Sequence, residues 1–473
     1  MSEATGTMNG DAGAPGEQAG RVGRLGIFGW VLYEWAAQPF YALIVTFLFA
    51  PYFANVFMND PVAGQSVWGV ATAIAAILIA VLSPIIGAVA DQSGRRKPWI
   101  LLSTVFFVIG MASLWYALPG RPELTYLVLA GYVLAWVAAE VNAVFINAIM
   151  PKLVPQSKLG RLSGIGAAVG YAGGLVALIV MVGLIAPDPV TGKTILGLDP
   201  VIALDHASRE GDRLVGPFAA AWLLIFALPF FLFTPDPKAT ARSAHPVRDG
   251  LAQIGHTFHE IRRYGNIVQF LIARMLYQDG LSGVFTFAGI YAVNFFGWQL
   301  FEKGLFGIIL SVAAMIGAAT GGFIEDRLGP KTVIMTSLVL AIIATLGVLS
   351  IDGEHVLFVV PVAAKTAGAG AFQSTAELVF IAFAIVVGVV AGPLYSSSRS
   401  LMARISPPDK LAQFFGMFAF SGKATSFIAP LLIAAMTLLT NNERLGVGVV
   451  LVLLGIGFVL MLRVKNKPTE SGL

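Results

Sequence analysis

Apolar stretches and short polar connections alternate along this chain from residue 25 to residue 462. Most of the stretches reach the roughly 20 residues that an α-helix needs to cross the hydrocarbon core of a bilayer. The pattern therefore predicts an all-α polytopic membrane protein with twelve transmembrane helices. The predicted helices, called spans 1 to 12, are Leu25–Phe57, Val67–Ala90, Pro98–Leu118, Leu124–Met150, Ser163–Ala186, Gly216–Thr234, Ile267–Phe296, Leu305–Ile324, Thr332–Ile351, Leu378–Ala403, Leu411–Leu439 and Leu445–Leu462.

The polar segments divide the chain into five parts. Residues 1–24 are rich in Gly, Ala, Glu and Ser and lack an apolar core, which predicts a disordered cytoplasmic tail rather than a signal peptide. Spans 1 to 6 are expected to form one six-helix bundle at 25–234, and spans 7 to 12 a second at 265–463. Residues 235–264 are the predicted cytoplasmic linker, and 464–473 the second cytoplasmic tail.

Two polar connections predict structure of their own. Leu251–Tyr264, at the end of the linker, is expected to form an amphipathic helix on the membrane surface. Asp352–Glu377, between spans 9 and 10, is unusually long for a connection. Its apolar segment His355–Ala364 is too short to cross a bilayer, so it is expected to form an outward hairpin or a re-entrant element.

The two predicted bundles carry a repeated sequence pattern. The connection Gly87–Lys97 recurs as Gly322–Lys331, and four positions match at one offset of 235 residues. Five positions in and around the connections that follow spans 4 and 10 match at a second offset of 252 residues. Two pseudo-symmetric halves explain both matches. The matched pairs are Gly87/Gly322, Asp91/Asp326, Gly94/Gly329 and Arg96/Lys331, then Met150/Met402, Pro155/Pro407, Lys158/Lys410, Leu159/Leu411 and Gly164/Gly416.

Composition and charge agree with a membrane protein. Apolar residues make up 57% of the chain and charged residues 12%, whereas soluble proteins carry about 45–50% and about 25%. Connections on the side of the termini hold about three times as many Lys and Arg residues as those on the other side, which predicts that both termini are cytoplasmic. This distribution explains the net charge of +4 without a nucleic-acid partner.

Residue usage also excludes several kinds of chemistry. The chain has no cysteine, so disulfides, thiolate metal sites and thiol catalysis are excluded. The five histidines are scattered in polar connections, and no nucleophile or phosphate-binding constellation is visible, so we expect no enzymatic activity, cofactor or metal. Glycines are frequent in spans 5 and 8, where they are expected to allow close helix packing.

Five charged side chains within the spans are the first candidates for function, because ionisable groups are costly inside a membrane. Glu140, Asp279 and Lys423 fall near mid-depth, and Glu34 and Arg274 lie nearer the cytoplasm. These groups either pair with one another and lock the helices, or bind the substrate or a proton as the cleft changes sides. For Lys423 the alternatives are anion binding and a counter-ion role.

Helical spacing adds two amides to this set. Gln38 follows Glu34 by one helical turn in span 1, and Asn147 shares a face of span 4 with Glu140. Arg399, near the end of span 10, is assigned to the cytoplasmic connection. The candidate substrate and proton residues are therefore Glu34, Gln38, Glu140, Asn147, Arg274, Asp279 and Lys423.

The connection Gly87–Lys97 and its twin resemble the signature loops of the major facilitator superfamily. The resemblance implies an alternating-access carrier whose spans 1, 4, 7 and 10 line the cavity. It also implies that these loops belong to the gate rather than to substrate recognition. The implied gate residues are Gly87, Asp91, Gly94, Arg95, Arg96, Gly322, Asp326, Gly329 and Lys331.

Other stretches of the chain resemble the vacuole-effluxer family, the autophagy-related amino-acid exporters and their bacterial relatives. The chain departs from that pattern at Glu34 and Ala37, where the family usually has Asp and Asn, and at Gln278, where it usually has Asn. The stretches that carry the resemblance are Leu32–Ala36, Asn147–Pro151, Gly160–Gly164, Gly170–Gly174, Leu276–Gly280, Ser398–Leu401, Phe415–Gly416 and Ser421–Ser426.

From these observations we expect a monomeric secondary transporter of the bacterial inner membrane that exports amino acids or related metabolites with proton coupling. In this hypothesis Asp279 and Glu140 bind the substrate amine or a proton, and Lys423 or Arg274 receives the carboxylate. Efflux of drugs, sugars or cell-wall metabolites is the alternative within carriers. A non-transporting membrane scaffold or sensor is the alternative of another class.

Overall fold

The structure is a computed structural model that describes residues 22–187, 192–236, 243–259, 261–298, 300–351, 354–363 and 372–466. Both predicted tails lie outside these residues, apart from 22–24 and 464–466. Below, the terminal side is the end of the bundle at which the first helix begins and the last helix ends, and the opposite side is the other end.

Helices make up most of the described chain. Helices α1 to α6 match spans 1 to 6, α7 lies in the linker, and α8 to α11 match spans 7 to 10. Span 11 is divided into α12 and α13, and α14 matches span 12. The bounds are α1 Arg24–Phe57, α2 Pro61–Ser93, α3 Lys97–Ser113, α4 Thr125–Ile149, α5 Leu159–Val180, α6 Val215–Phe233, α7 Pro246–His259, α8 Gly265–Phe296, α9 Leu300–Leu328, α10 Pro330–Leu349, α11 Thr375–Ile405, α12 Leu411–Ser421, α13 Ile428–Thr440 and α14 Glu443–Arg463.

Ten helical segments of the described chain are long and apolar enough to cross a membrane. Their outward faces are apolar: Ile74, Ile77 and Val81, on successive turns of α2, are each about half exposed. A contiguous apolar exterior is unfavourable in water but suits lipid. The protein is therefore an all-α integral membrane protein, and the count of twelve spans stays a prediction.

Local sequence explains where the first two helices bend and begin. Pro39 lacks a backbone N–H and its ring disturbs the preceding turn, and α1 continues as wider π-helical turns at Phe40–Phe47. Asp60 caps α2 because its Oδ1 accepts hydrogen bonds from the N–H groups of Val62 and Ala63, both at 3.0 Å.

The prediction of one continuous helix for span 11 is wrong. The chain leaves the helix after Ser421 and re-enters it at Ile428, so Gly422–Phe427 form a break in the span. Three of its six residues are glycine, threonine and serine, which form helices less readily than alanine or leucine. In addition, the guanidinium of Arg274 in α8 donates to the Phe418 carbonyl oxygen at 2.8 Å and to Ser421 Oγ at 2.7 Å, which stabilises the end of α12.

The linker helix α7 begins at Pro246 rather than Leu251 and docks on the first bundle. A Cβ built on Gly250 would lie 2.8 Å from Val89 Cα of α2, so the two backbones are in direct contact. Gln253 Oε1 accepts from Gln92 Nε2 at 2.5 Å, and Gln253 Nε2 donates to Gln413 Oε1 at 2.6 Å. Through this side chain α7 joins α2 of the first half to α12 of the second.

The long connection between spans 9 and 10 contains a β-hairpin. Strands β1 (His355–Val356) and β2 (Val360–Pro361) pair antiparallel, with Val356 opposite Val360. The segment was expected to form either an outward hairpin or a re-entrant element, and the structure has the hairpin.

The two halves meet on the terminal side at two helix crossings related by the sequence repeat. In the first, α2 packs on α12, and a Cβ on Gly87 would lie 2.3 Å from the Ala412 carbonyl oxygen. In the second, α5 packs on α9, and a Cβ on Gly164 would lie 2.4 Å from the Ala318 carbonyl oxygen. Only glycine fits such close backbone contacts.

Candidate functional site

A cavity of about 340 Å³ lies between the two halves, within the size range of small-molecule sites. Helices α1, α4, α8 and α11 contribute to its wall, as the resemblance implied, and α12 with the break contributes as well. Six of the seven candidate residues line this cavity, called the inner cavity below. They are Glu34, Gln38, Glu140, Asn147, Arg274 and Lys423.

A second cavity of about 490 Å³ continues from the inner one toward the opposite side. The two share wall residues, among them Gln38, Tyr171 and Tyr395. The outer cavity also reaches Thr46, far along α1, and Ser311, in the first part of α9. The helix crossings lie on the terminal side, and the two connected cavities extend from the middle of the protein toward the opposite side.

Glu140 and Lys423 form an ion pair across the inner cavity. Lys423 Nζ lies 3.2 Å from Glu140 Oε1, and their side chains are 24% and 16% exposed. Trp136 Nε1 donates weakly to the same Glu140 oxygen at 3.4 Å, and Lys423 Nζ lies 4.9 Å from the Trp136 ring centre. The position of Lys423 follows from the break in span 11, since Lys423 is its second residue.

Glu34 pairs with an arginine that the sequence analysis assigned to the cytoplasm. Arg399 Nη1 lies 2.5 Å from Glu34 Oε1, and the arginine side chain is fully buried. Arg399 also donates to Asn147 Oδ1, at 3.3 Å, and to the hydroxyl and carbonyl oxygens of Ser163, at 3.0 and 2.6 Å. The assignment of Arg399 to a cytoplasmic connection is therefore wrong: it lies inside α11.

The signal for Arg399 was present in the sequence. Its position falls within the predicted span Leu378–Ala403 and within a stretch that carries the family resemblance. Arg399 was assigned to the cytoplasmic basic residues, although it is a buried charge within the span. Its partner Glu34 was expected to pair with Arg274 or Lys423, if it paired at all, and the structure brings it to neither.

Arg274 is held by the second half alone. Besides its bonds to Phe418 and Ser421, its guanidinium lies 3.5 Å from the centre of the Phe418 ring. One side of this group still faces the inner cavity. Arg274 is thus positioned by the end of α12 and forms no ion pair with another described residue.

Asp279 does not reach either cavity. It is 2% exposed, and it is absent from the described walls of the inner and outer cavities. Its neighbours on α8, Gly280 and Gly283, face Leu454 and Val450 of α14. The expectation that Asp279 extends into the aqueous cleft together with Glu140 is therefore wrong, because this face of α8 packs inside the second half.

The charges of the inner cavity are divided between the halves. The acidic groups Glu34 and Glu140 come from α1 and α4, whereas Lys423 and Arg274 come from the second half. Arg399, paired with Glu34, belongs to the second half too. A cleft with acids on one wall and bases on the other suits a solute that carries both signs.

The two acidic residues of the repeated loops hold the halves together on the terminal side. Asp91 accepts hydrogen bonds from the backbone N–H groups of Ala412 and Gln413 at 3.2 and 2.9 Å, at the start of α12. Asp326 accepts from the N–H of Arg161 at 3.0 Å, at the start of α5. Helix N-termini favour negative charge, so both contacts are electrostatically favourable.

The other loop residues shape these turns. Gly94 and Gly329 have φ angles of +82° and +81°, which glycine adopts without strain. Arg96 donates to the Asp91 carboxylate at 2.9 Å and to the Ala148 carbonyl oxygen at 2.9 Å. Lys331 binds the Leu462 and Val464 carbonyl oxygens at the end of α14, whereas Arg95 is exposed.

A profile of the family described as "Vacuole effluxer Atg22 like" matches residues 53–470 of the chain. The chain belongs to this family. Among curated relatives of the chain is an uncharacterized MFS-type transporter, YxiO of Bacillus subtilis (strain 168). It is 25% identical over 93% of the present chain and 95% of its own.

Fungal relatives match a smaller part of the chain. Autophagy-related protein 22 of Cryptococcus neoformans var. neoformans serotype D (strain B-3501A) is 27% identical over 64% of this chain. The chain spans about half of that fungal protein, 52% of its length. The family and the full-length bacterial relative make this chain an MFS-type transporter rather than an enzyme.

Solved structures share the fold of this chain. The E. coli fucose:proton symporter FucP gives a TM-score of 0.67 at 14% identity, over 93% of this chain and 98% of that chain. The human organic anion transporter MFSD10 gives 0.66 at 14% identity, over 94% and 99%. FucP is described as a major facilitator superfamily transporter, and the shared fold confirms the fold class expected from the repeated loops, apart from the count of twelve helices.

Proposed function

We propose that this transporter exports amino acids or closely related zwitterionic metabolites and couples their movement to protons. The observation that carries the proposal is the Glu140–Lys423 pair in the inner cavity. Both partners are partly exposed to the cavity, and each is held by a single ion pair and by weak contacts with Trp136. Glu140 can bind a solute ammonium group, and Lys423 a carboxylate.

The Glu34–Arg399 pair is proposed to lock the helices rather than to bind solute. Arg399 has no exposed side-chain surface, and four oxygen atoms already accept its hydrogen bonds. A guanidinium satisfied in this way gains little from a solute and loses several bonds if it moves. Glu34 still contributes its negative charge to the cavity wall.

Alternating access follows from the same contacts. In the present conformation the terminal side is closed by the glycine crossings and by Asp91 and Asp326, and the cavities open to the opposite side. We propose that the terminal side is cytoplasmic, with both termini in the cytoplasm and the protein, as a monomer, in the bacterial inner membrane. Export then requires a second conformation in which the terminal-side contacts separate.

The test is uptake of labelled amino acids into inside-out vesicles, with and without a proton gradient. Glu140→Gln and Lys423→Ala each remove one charge-assisted contact, worth about 1.5–3 kcal/mol, so uptake should fall by about ten- to a hundredfold. Glu123→Gln is the matched control, because its pair with Arg121 is exposed on the surface and distant from the cavity.

Unchanged uptake in both cavity variants would contradict the proposed site. If no amino acid accumulates in vesicles with the unaltered protein, the proposed substrate class is wrong. If amino-acid accumulation does not depend on the proton gradient but is lost in Lys423→Ala, the proposed proton coupling is wrong and the proposed solute site is supported.

A further inference from the structure

Asp279 is a membrane-embedded carboxylate outside both cavities. Its side chain is buried inside the second half, and its Oδ2 atom has no hydrogen-bond partner. It forms no ion pair within the described part of the chain. An ionised carboxylate in such a place is costly, whereas the neutral acid is not.

The charged groups around Asp279 are bound elsewhere. Arg274, on the same helix, donates to Phe418 and Ser421 at the end of α12. Lys423, in the break, is paired with Glu140. The α14 and α13 residues packed on this part of α8 are apolar, namely Val450, Leu453, Leu454, Ala429 and Ile433.

One polar side chain faces Asp279 from the break in span 11. The hydroxyl of Thr425 lies beside the carboxylate of Asp279. Thr425 Oγ1 is buried and, like Asp279 Oδ2, has no partner of good hydrogen-bond geometry. One hydroxyl donor offsets little of the cost of an ionised carboxylate at a buried site, so this place favours the neutral, protonated acid.

We propose that Asp279, with Thr425, carries the coupled proton in a site separate from the solute cavity. The neutral acid can donate its O–H to Thr425 Oγ1, or accept the Thr425 hydroxyl hydrogen on its carbonyl oxygen, so it needs no charged partner at this position. A hard metal cation takes about six oxygen ligands, more than the two side-chain oxygens that meet here. In each cycle the carboxylate gains one proton and releases it on the other side.

The break in span 11 connects the proton site to the solute site. Thr425 meets Asp279, and Lys423, two residues earlier, meets Glu140 in the inner cavity. A change in the charge of Asp279 that moves this segment therefore also moves Lys423. Segments with two discrete arrangements are the means by which separate sites become coupled.

The sign of the coupling follows from the burial of Asp279. The present conformation, open to the opposite side, stabilises the protonated acid. Loss of the proton favours the other conformation, provided that Asp279 is hydrated there. Raising the pH should therefore depopulate the state that opens to the opposite side, and the equilibrium changes by up to about tenfold per pH unit when one proton is linked to the change.

The experiment uses the full-length protein in liposomes and needs no solute. Because the chain has no cysteine, Ser311→Cys places a single thiol in the outer cavity. A membrane-impermeant maleimide, applied from the opposite side, reports how often that cavity is open. Ser66→Cys, at an exposed position of α2, corrects for the pH dependence of the thiol reaction itself.

The corrected labelling rate should fall as the pH rises, in sodium and in potassium buffers alike. In Asp279→Asn it should be high at every pH, because the amide imitates the neutral acid. Asp279→Glu should keep the pH dependence with a different midpoint, which would show that the carboxyl group is the titrating group. Thermal unfolding of each variant gives a second check of folding.

Two results would overturn the proton site: a pH dependence that survives in a folded Asp279→Asn, and a dependence on sodium that this substitution abolishes. The inference rests on the proposed transport function for its place in the cycle. The labelling experiment measures only the conformation of the protein. Failure of amino-acid uptake would therefore refute the proposed solute and leave the labelling result unchanged.

Discussion

The carboxylate of Glu34 in α1 meets the fully buried guanidinium of Arg399 in α11, although 365 positions separate the two residues in the sequence. The pair joins the first half of the protein to the second beside the inner cavity. Removing one partner of a buried ion pair leaves the other charge uncompensated, and this is more costly than removing both.

Arg399→Ala should therefore lower the free energy of unfolding by about 3–5 kcal/mol. Glu34→Gln in the same protein should restore part of this loss, because it removes the stranded charge. Thermal unfolding of the purified single and double variants measures both effects. Arg121→Ala, in an exposed ion pair, is the control and should change stability by no more than about 0.5 kcal/mol. Equal stability of Arg399→Ala and the unaltered protein would refute the role assigned to this pair.

Asp91→Asn should loosen the terminal side more than Asp326→Asn does. Asp91 accepts from two backbone N–H groups and from Arg96, whereas Asp326 accepts from one backbone N–H and pairs with the half-exposed Arg161. Labelling of Ala143→Cys in the inner cavity, from the terminal side, should rise severalfold in Asp91→Asn and less in Asp326→Asn. A larger rise in Asp326→Asn than in Asp91→Asn would show that the contact of Asp326 with Arg161 is the one that closes the terminal side.

Gly87→Leu should prevent close packing of α2 on α12. Its Cβ would lie 2.3 Å from the Ala412 carbonyl oxygen, a distance that no side chain tolerates without backbone movement. The variant should lose transport, and Ser311→Cys in the outer cavity should react more slowly because the conformation seen here is disfavoured. Gly69→Leu is the matched control on the same helix, since a Cβ there meets nothing within 4 Å. Normal transport by Gly87→Leu would contradict the crossing as a moving contact.

Gln253→Ala should weaken the attachment of α7 to both halves. Its amide exchanges hydrogen bonds with Gln92 and Gln413, each worth about 0.5–1.5 kcal/mol. Hydrogen exchange in α7 should accelerate severalfold while the core of α2 stays protected. Gln156→Ala, at an exposed position, should leave exchange in α7 unchanged. Faster exchange throughout the protein would instead indicate general destabilisation.

The sequence predicted the parts of this structure that depend on periodicity and repetition. The lengths of most spans and the two related loops follow from hydrophobic runs and from matches at fixed offsets. The offsets even relate the partners of Asp91 and Asp326: Gln413 lies 252 residues after Arg161, as Asp326 lies 235 after Asp91. In both halves the acidic residue of the loop therefore accepts hydrogen bonds from backbone N–H groups at the start of the corresponding helix.

The parts that failed depend on which side chain meets which across the bundle. Arg399 lies near a span end, where the sequence pattern does not distinguish a buried from a cytoplasmic arginine. Asp279 and Glu140 have similar depths, but the direction of each side chain is fixed by tertiary packing, which turns Asp279 toward α14. The break at Gly422 depends in part on Arg274 from another helix, which local propensity does not reveal.

The break also has no equivalent in the helix that corresponds to it by the sequence repeat. Gly170–Gly174 occupy the positions of Gly422–Ser426 in the first half, yet α5 runs through them without interruption. A continuous helix transmits a rotation along its whole length, whereas an interrupted one can bend between its two parts. In the first half α5 therefore moves as one rigid helix, whereas α12 and α13 of the second half can change their angle at the break. The two halves then move differently when the protein opens to one side and to the other.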